Sequence, residues 1–202
     1  MTAPTTRTPH PHDANDAPHL PPRILVHGTT GSGKTTLGKR IAGITGAPYV
    51  ELDALHWEPN WVEAPVHIFR NRVAEAIAGP AWVVDGNYSI VQDLTWASAD
   101  AIIWLDYSIA RIYWQLLKRT ISRAVRREEL WAGNREKLRM AFASRDSLFV
   151  WALKSHWKKR RVYPERLAEP RYAHLRVTRI RSPRELERFL SSATPSHHAP
   201  SP

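Results

Sequence analysis

The chain has 202 residues, of which 43% are hydrophobic and 24% are charged, so it is long enough and apolar enough to bury a core. The absence of cysteine excludes a disulfide scaffold, a thiolate zinc site and a thiol nucleophile. Lys and Arg exceed Asp and Glu by 29 to 19, and residues 111–188 hold 22 basic against 8 acidic residues. That basic half favours an anionic partner such as a nucleoside triphosphate, a nucleic acid or an acidic lipid, the alternative being a charged, solvent-exposed helical surface.

Both ends of the chain are predicted to be disordered. Residues 1–22 and 191–202 are rich in Pro, Thr, Ser and His and poor in large apolar side chains, so they bury too little surface to fold. The folded domain then spans about 23–190. No apolar stretch approaches the roughly 18 residues of a membrane span, and the first 22 residues lack the apolar centre of a secretory signal. We therefore expect a cytoplasmic protein with no membrane partner.

Between these ends, short apolar stretches alternate with helical patterns. Five strands are predicted in chain order, at 23–28, 49–53, 82–85, 101–106 and 174–180. Helices are predicted at 34–44, at 62–78, within a long basic region at 108–161, and at 182–190. This alternation favours an α/β fold, with a five-stranded parallel sheet covered by helices on both faces. Ligands of such sheets bind beyond the carboxyl ends of the strands.

A phosphate-binding sequence follows the first predicted strand. Gly28-Thr29-Thr30-Gly31-Ser32-Gly33-Lys34-Thr35 fits the pattern G-x-x-x-x-G-K-[ST] in full, between a strand and a helix. The backbone N–H groups of such a loop bind phosphate together with the N-terminus of the helix. We predict that ATP binds residues 28–36, including Thr36. Lys34 is expected to contact the β- and γ-phosphates and the Thr35 hydroxyl to bind Mg²⁺, the alternative being a plain glycine-rich turn.

Aspartates end the next two predicted strands, at Asp53 and Asp85. Phosphoryl transfer needs a carboxylate for Mg²⁺ and a group that positions or deprotonates the acceptor hydroxyl. We assign Asp85 to Mg²⁺ and Asp53 to the acceptor, with a helix cap or a turn as the alternative for either residue. Asp106 also ends a predicted strand, where capping of the following helix is favoured over a metal site.

The loop after Asp53 contains two tryptophans, Trp57 and Trp61. Aromatic side chains on the ligand side of the sheet favour the wall of an acceptor pocket. The alternative is a loop that the two tryptophans anchor to the domain.

The basic region contains Arg119, Arg123 and Arg127, which are four residues apart and share one helix face. We predict that they neutralise the transferring phosphoryl group from a lid at about 120–140. The alternative is a solvent-exposed helix face. Farther on, the basic run at 158–161 favours either contact with a polyanion or the C-terminal end of a helix.

The phosphate loop, LDALHWEPNW at 52–61, WVVDGNY at 82–88 and the basic helix together resemble the adenylate-kinase-related P-loop proteins of the DNA topology modulation (FlaR-type) family. The resemblance implies a three-layer P-loop NTPase fold with a helical lid. Asp85 is similar to the metal-site aspartate of adenylate kinases, and Asp53 to the acceptor-side aspartate of shikimate- and gluconate-type kinases. Where adenylate kinases hold an acceptor phosphate with arginine, this chain has Asn87, Tyr88 and Ser89.

Three functions fit these patterns. The favoured one is a kinase that transfers the γ-phosphoryl group of Mg-ATP to a small-molecule acceptor. The second is a nucleic-acid-associated NTPase or regulator, which predicts salt-sensitive binding to polyanions. The third is a nucleotide-binding switch with negligible turnover. ATP is favoured over GTP because no [NT]-K-x-D guanine-reading sequence follows the later strands.

Overall fold

The computed structural model describes residues 19–126, 130–134 and 148–195, with side chains over 20–123, 130–134 and 152–193. Its strands are β1 (His19–Leu20), β2 (Arg23–Gly28), β3 (Tyr49–Glu51), β4 (Trp57–Glu58), β5 (Val62–Glu63), β6 (Trp82–Asp85), β7 (Ala101–Leu105), β8 (Arg176–Ile180) and β9 (Thr194–Pro195). Its α-helices are α1 (Lys34–Thr45), α2 (Leu52–His56), α3 (Val66–Ala76), α4 (Gln92–Ser98), α5 (Ile109–Arg126), α6 (Leu148–Leu167) and α7 (Pro183–Ser192).

Five strands form one parallel sheet in the order β3-β6-β2-β7-β8, which confirms the predicted fold class. Strand β2 is central, and Leu25 faces Val84 on one side and Ile102 on the other. Because β2 is central, the loop that follows it opens at the middle of the sheet's carboxyl edge.

Helices cover both faces of the sheet, and each face has its own apolar core. Leu25, Ile102 and Trp104 pack with α2, α3 and α4 on one face. Ile24 and Val26, which flank Leu25 along β2, pack with α1, α5 and α7 on the other face. The alternation follows from the period of two along a strand. No helix in the described part of the chain has the length and apolar character needed to cross a membrane.

Several predicted boundaries differ from the structure. The second strand ends at Glu51, and Asp53 lies in the first turn of α2. Residues 62–63 pair with 57–58 as a hairpin, so the helix predicted from 62 begins at Val66. Strand β1 pairs with β9, so residues 19–20 and 194–195 belong to the folded domain, although disorder was predicted for them. Residues 191–192 end α7, and 21–22 and 193 are also described, so within the predicted terminal segments only 1–18 and 196–202 lie outside the described residues.

Helix α6 crosses the carboxyl edge of the sheet. Ala152 belongs to one core, whereas Tyr163 and Leu167 pack against the other. Between these ends, the Arg160 guanidinium donates to Asp106 at 2.7 Å. The helix therefore lies over the strand ends where a ligand would bind.

Asp106 joins three elements at this edge, and capping is not its observed role. Its side chain is almost fully buried at the end of β7 and accepts hydrogen bonds from Arg160 on α6 and Arg179 on β8. The prediction of a helix cap rested on the nearby Ser108. The structure instead gives both carboxylate oxygens arginine partners that are distant in sequence.

Asp106→Asn is expected to lower the free energy of unfolding by about 3 kcal/mol, because removing one member of a buried charge cluster leaves its partners uncompensated. Urea unfolding with an unchanged m-value would measure the loss. The matched control is Asp93→Asn, which removes an exposed carboxylate paired with Arg70 and should cost much less. Equal losses in the two variants would contradict the role given to Asp106.

Candidate active site

The loop between β2 and α1 has the geometry of a phosphate cradle. Gly33 has φ +92°, a left-handed conformation that favours glycine and turns the chain into α1. At Gly28, a Cβ atom would lie 2.5 Å from the Ser32 hydroxyl oxygen. That hydroxyl is buried and has no hydrogen-bond partner among the described residues. A bound phosphate would satisfy it, so the loop fits the ligand that the sequence predicts.

Thr35 contacts a carboxylate that sequence reasoning missed. Its Oγ1 atom donates to Glu51 Oε1 at 3.3 Å. Glu51 ends β3 directly beside Asp85 of β6, and burial together with the Asp85 charge raises the pKa of Glu51. Its position as the last residue of β3 could have indicated a role at the site. The predicted strand continued to Asp53, so Glu51 was not recognised as a strand end.

Asp85 is buried at the end of β6 and has a fixed partner. The Tyr49 hydroxyl donates to Asp85 Oδ2 at 2.7 Å. Burial and the charge of Asp85 raise the pKa of Tyr49, so the phenol stays protonated. The Thr35 hydroxyl, Glu51 and Asp85 are thereby brought together as oxygen donors beside the phosphate loop.

Asp53 lies on the neighbouring side of the loop. Its Oδ1 atom accepts a hydrogen bond from the Tyr88 hydroxyl at 2.6 Å. Burial and the charge of Asp53 raise the pKa of Tyr88, which keeps the phenol a donor. This bond fixes the direction in which the carboxylate presents its second oxygen.

Lys159 of α6 reaches the base of the phosphate loop. Its Nζ atom donates to the Gly28 carbonyl at 3.1 Å. Burial and the charge of Lys34 lower the pKa of Lys159 well below its ordinary value, whereas Asp53 acts in the opposite direction. The charges of Lys34 and Asp53 therefore both act on Lys159 at the phosphate loop.

Asn87 joins the end of β6 to the same glycine. Its amide oxygen accepts from the Gly28 N–H at 3.2 Å, and its amide nitrogen donates to the Gly28 carbonyl at 2.6 Å. The Tyr163 hydroxyl of α6 also donates to Asn87 at 3.3 Å. The Asp85-Gly86-Asn87-Tyr88 sequence thus fixes the start of the loop.

The predicted lid arginines are only partly described. Helix α5 packs on the loop, since a Cβ at Gly31 would lie 3.1 Å from Leu116 Cβ. Arg119 and Arg123 follow Leu116 by three and seven residues and so share its side of the helix. Within the predicted lid at 120–140, Arg127 and residues 128–129 and 135–140 lie outside the described residues. A role for the three arginines at phosphate stays a prediction.

The basic run at 158–161 is divided by the helix. Lys159 points to the phosphate loop and Arg160 to Asp106, whereas Lys158 and Arg161 are exposed. Two of the four basic side chains in this run, which was predicted to contact a polyanion, therefore point into the domain.

The two tryptophans after Asp53 anchor a hairpin. Their rings are 5.5 Å apart, and Trp61 is 6.3 Å from Trp131. Asn134 accepts from the Trp61 N–H and donates to the Glu58 carbonyl, each at 2.9 Å. These contacts agree with the alternative in which Trp57 and Trp61 anchor the loop to the domain.

A cavity of about 520 Å³ opens beside the phosphate loop, between the loop after β6, α4 and α6. Leu52, Gly86 and Tyr88 form the side near Asp53, while Lys158 and Lys159 form the side of α6. Trp57 and Trp61 are not among the described residues that line it. The volume suits a small-molecule ligand.

His27, near the end of β2, lines this cavity and is almost fully buried. The rings of Trp96 and Tyr163 lie 5.7 and 5.4 Å from its ring. Burial, then the charges of Lys159 on α6 and Lys34 on α1, lower its pKa to about 3. The imidazole is therefore neutral at physiological pH.

The lowered pKa of His27 predicts a loss of stability in acid. Between pH 6.5 and about 3 the unfolded chain binds a proton at this site that the folded chain does not, so stability falls as pH falls. Relative to His27→Gln, the wild-type free energy of unfolding should drop by about 1.4 kcal/mol for each pH unit below 6.5. Urea titrations at several pH values would measure this difference, and parallel pH profiles would refute it.

Comparisons with known proteins agree with this geometry. Residues 24–106 match the family described as ATPase family associated with various cellular activities (AAA). No curated protein is significantly similar to the chain in sequence. The fold is similar to a gluconokinase from Sinorhizobium meliloti 1021, with a TM-score of 0.50 and 20% identity over 86% of this chain and 92% of that one. It is similar to a shikimate kinase from Acinetobacter baumannii in complex with shikimate, with a TM-score of 0.50 and 14% identity over 85% and 90% of the two chains.

At these identities the likeness shows the fold alone, an α/β architecture with a five-stranded parallel sheet flanked by helices. The family match covers the phosphate loop and the strands on either side of it. The DNA topology modulation family suggested by the sequence motifs is not among these matches and stays a prediction.

Proposed function

We infer that the protein is a cytoplasmic kinase that transfers the γ-phosphoryl group of ATP to a hydroxyl of a small molecule. The observation that carries the proposal is the position of Lys159, which donates to the Gly28 carbonyl of the phosphate loop and lines a cavity of about 520 Å³, while the charges of Lys34 and Asp53 both act on it. A phosphoryl-transfer site needs cations at the phosphates and a carboxylate at the acceptor. The similarity in fold to two small-molecule kinases supports the same reading.

The metal that such a reaction uses is Mg²⁺, and the residues present suit it. The Thr35 hydroxyl and the carboxylates of Glu51 and Asp85 are the hard oxygen donors that Mg²⁺ prefers, held directly or through water. When bound, the ion would neutralise charge on the β- and γ-phosphates. Thr35 and Asp85 keep the roles predicted from the sequence, and Glu51 is added to them.

The remaining steps are assigned to side chains of this chain. Residues 28–36 bind the phosphates through backbone N–H groups, and Lys34 contacts the β- and γ-phosphates. The acceptor oxygen forms a bond to the γ-phosphorus as the bond to the β–γ bridging oxygen breaks. The hydroxyl proton passes to Asp53, and ADP leaves. Arg119, Arg123 and Arg127 are proposed to neutralise the transferring group.

A role at nucleic acid has less support. Lys159 and Arg160 of the basic run are engaged inside the domain. The cavity beside the phosphate loop has the size of a small-molecule site.

The test is ADP release from Mg-ATP, measured alone, with a panel of small hydroxyl compounds, and with duplex DNA. Mass spectrometry of the mixture would identify the phosphorylated acceptor. We expect one compound class to stimulate ADP release, with one molecule of phosphorylated product formed for each ADP released. Stimulation by DNA alone, or ATP bound for hours without product, would refute the kinase and favour the NTPase or the switch.

A further inference from the structure

The cavity beside the phosphate loop is lined by positive charge. Among its described lining residues are four cations and no Asp or Glu: Lys154, Lys158, Lys159 and Arg166. All four lie on α6, in the turns that cross the carboxyl edge of the sheet. A concave surface with one sign of charge concentrates ligands of the opposite sign.

Three buried polar atoms of the lining residues have no hydrogen-bond partner among the described residues: His27 Nδ1, Gln92 Nε2 and Trp96 Nε1. Buried polar groups without a partner are rare in folded proteins, and several around one cavity indicate a polar occupant. Of the three, the Gln92 and Trp96 nitrogens are donors, which suit carboxylate, phosphate or hydroxyl oxygens.

The two ends of the cavity differ in chemistry. Tyr88 lines one end and holds Asp53 through its hydroxyl. The opposite wall is α6, where Arg166 contacts Gln92 and Lys158 is exposed to the cavity mouth. A ligand with a hydroxyl at the Tyr88 end and an anionic group at the α6 end would satisfy both.

We propose that this cavity is the acceptor site, and that the acceptor is a small polyol bearing a carboxylate or phosphate group. The assignment deepens the proposed kinase function and rests on it. Lys158 and Arg166 determine specificity by contacting the anionic group, while the hydroxyl lies at the Tyr88 end, where the Tyr88 hydroxyl leads to Asp53 just outside the lining residues. A neutral acceptor would leave the basic wall that α6 contributes without an anionic partner inside the cavity.

The test is direct binding of matched polyols by isothermal titration calorimetry, without ATP and again with Mg-ADP. The probes are three sets: glycerol, glycerate and glycerol 3-phosphate; sorbitol, gluconate and sorbitol 6-phosphate; inositol, quinate and inositol 1-phosphate. In at least one set, an anionic member should bind about tenfold more tightly than the neutral one. The carboxylate and phosphate members of each set separate the two anion types.

Charge variants locate the binding. Arg166→Gln and Lys158→Gln should each weaken the anionic probe about tenfold and leave the neutral polyol unchanged. Arg161→Gln removes one exposed charge from the same helix but does not line the cavity, so binding should persist. Equal binding of neutral and anionic members, no binding in any set, or equal effects of Arg161→Gln and Arg166→Gln would overturn the proposal.

The two proposals fail in different ways. Binding of an anionic polyol without any phosphoryl transfer would leave the cavity assignment standing and refute the kinase. Phosphoryl transfer to neutral acceptors alone would support the kinase and refute the anionic acceptor. The binding measurements need no turnover, so they do not depend on Lys34 or on the lid arginines.

Discussion

Lys34→Ala is expected to reduce phosphoryl transfer by at least about 10²- to 10³-fold, the loss seen when one preorganised charge-stabilising donor is removed. Lys34 opens α1 at the end of the phosphate loop, and its charge acts on both His27 and Lys159. Charge that develops on the transferring group would lose its nearest cation. Single-turnover measurement of labelled phosphate on the acceptor would quantify the loss.

Lys118→Ala is the matched control for this variant. Lys118 is an exposed lysine of α5 whose ammonium lies 4.7 Å from the centre of the Trp114 ring, away from the phosphate loop. Its removal should leave transfer unchanged. If Lys34→Ala kept acceptor-dependent ADP release near the wild-type rate, the phosphate loop would not be the site of the reaction.

Lys159 is a second basic residue at the phosphate loop, so a double variant separates its contribution from that of Lys34. Its ammonium already lies at the Gly28 carbonyl, and the charge of Lys34 lowers its pKa. Removing Lys34 should therefore raise the pKa of Lys159. Some residual transfer in Lys34→Ala is expected to need Lys159, so the double variant Lys34→Ala with Lys159→Ala should be less active than either single one.

The features that the sequence predicted well are local ones. The phosphate loop needs glycines at fixed positions within eight residues, and the apolar strands carry their signal within four to six residues. The last helix was predicted to begin at 182, and the Ser182 side chain accepts from the Glu185 N–H in its first turn. Each of these patterns depends on near neighbours along the chain, so periodicity and motif spacing were sufficient.

The features that it missed depend on distant contacts. Lys159 and Gly28 are 131 residues apart, and Asp106 and Arg179 are 73 apart. Nothing in the basic run at 158–161 distinguishes the residue that reaches the phosphate loop from its exposed neighbours. Which side chain points inward is set by how α6 crosses the sheet edge, and that path follows from packing against two cores.

For Asp53, the sequence predicted a role at the site but not the element on which the residue lies. Its importance was predicted from its place after a strand, but the strand ends at Glu51, and Asp53 lies in a helical turn. The two carboxylates are therefore both present at the site, with Glu51 at Thr35 and Asp53 at Tyr88. This separation predicts that they affect different steps.

Asp53→Asn is expected to leave ATP binding within about twofold and to reduce transfer by about 10²- to 10⁴-fold, the range for a positioned general base. The amide can still accept from Tyr88 but cannot take the acceptor proton. ATP affinity measured by calorimetry and transfer measured in single turnover would separate the two effects. Asp93→Asn, on the exposed side of α4, should change neither.

Tyr88→Phe tests whether the Tyr88 hydroxyl positions the Asp53 carboxylate. Loss of the 2.6 Å hydrogen bond to Asp53 should lower transfer less than loss of the carboxylate itself, because the base is still present. If Asp53→Asn weakened ATP binding as much as transfer, Asp53 would belong to the nucleotide site and the division between the two carboxylates would be wrong.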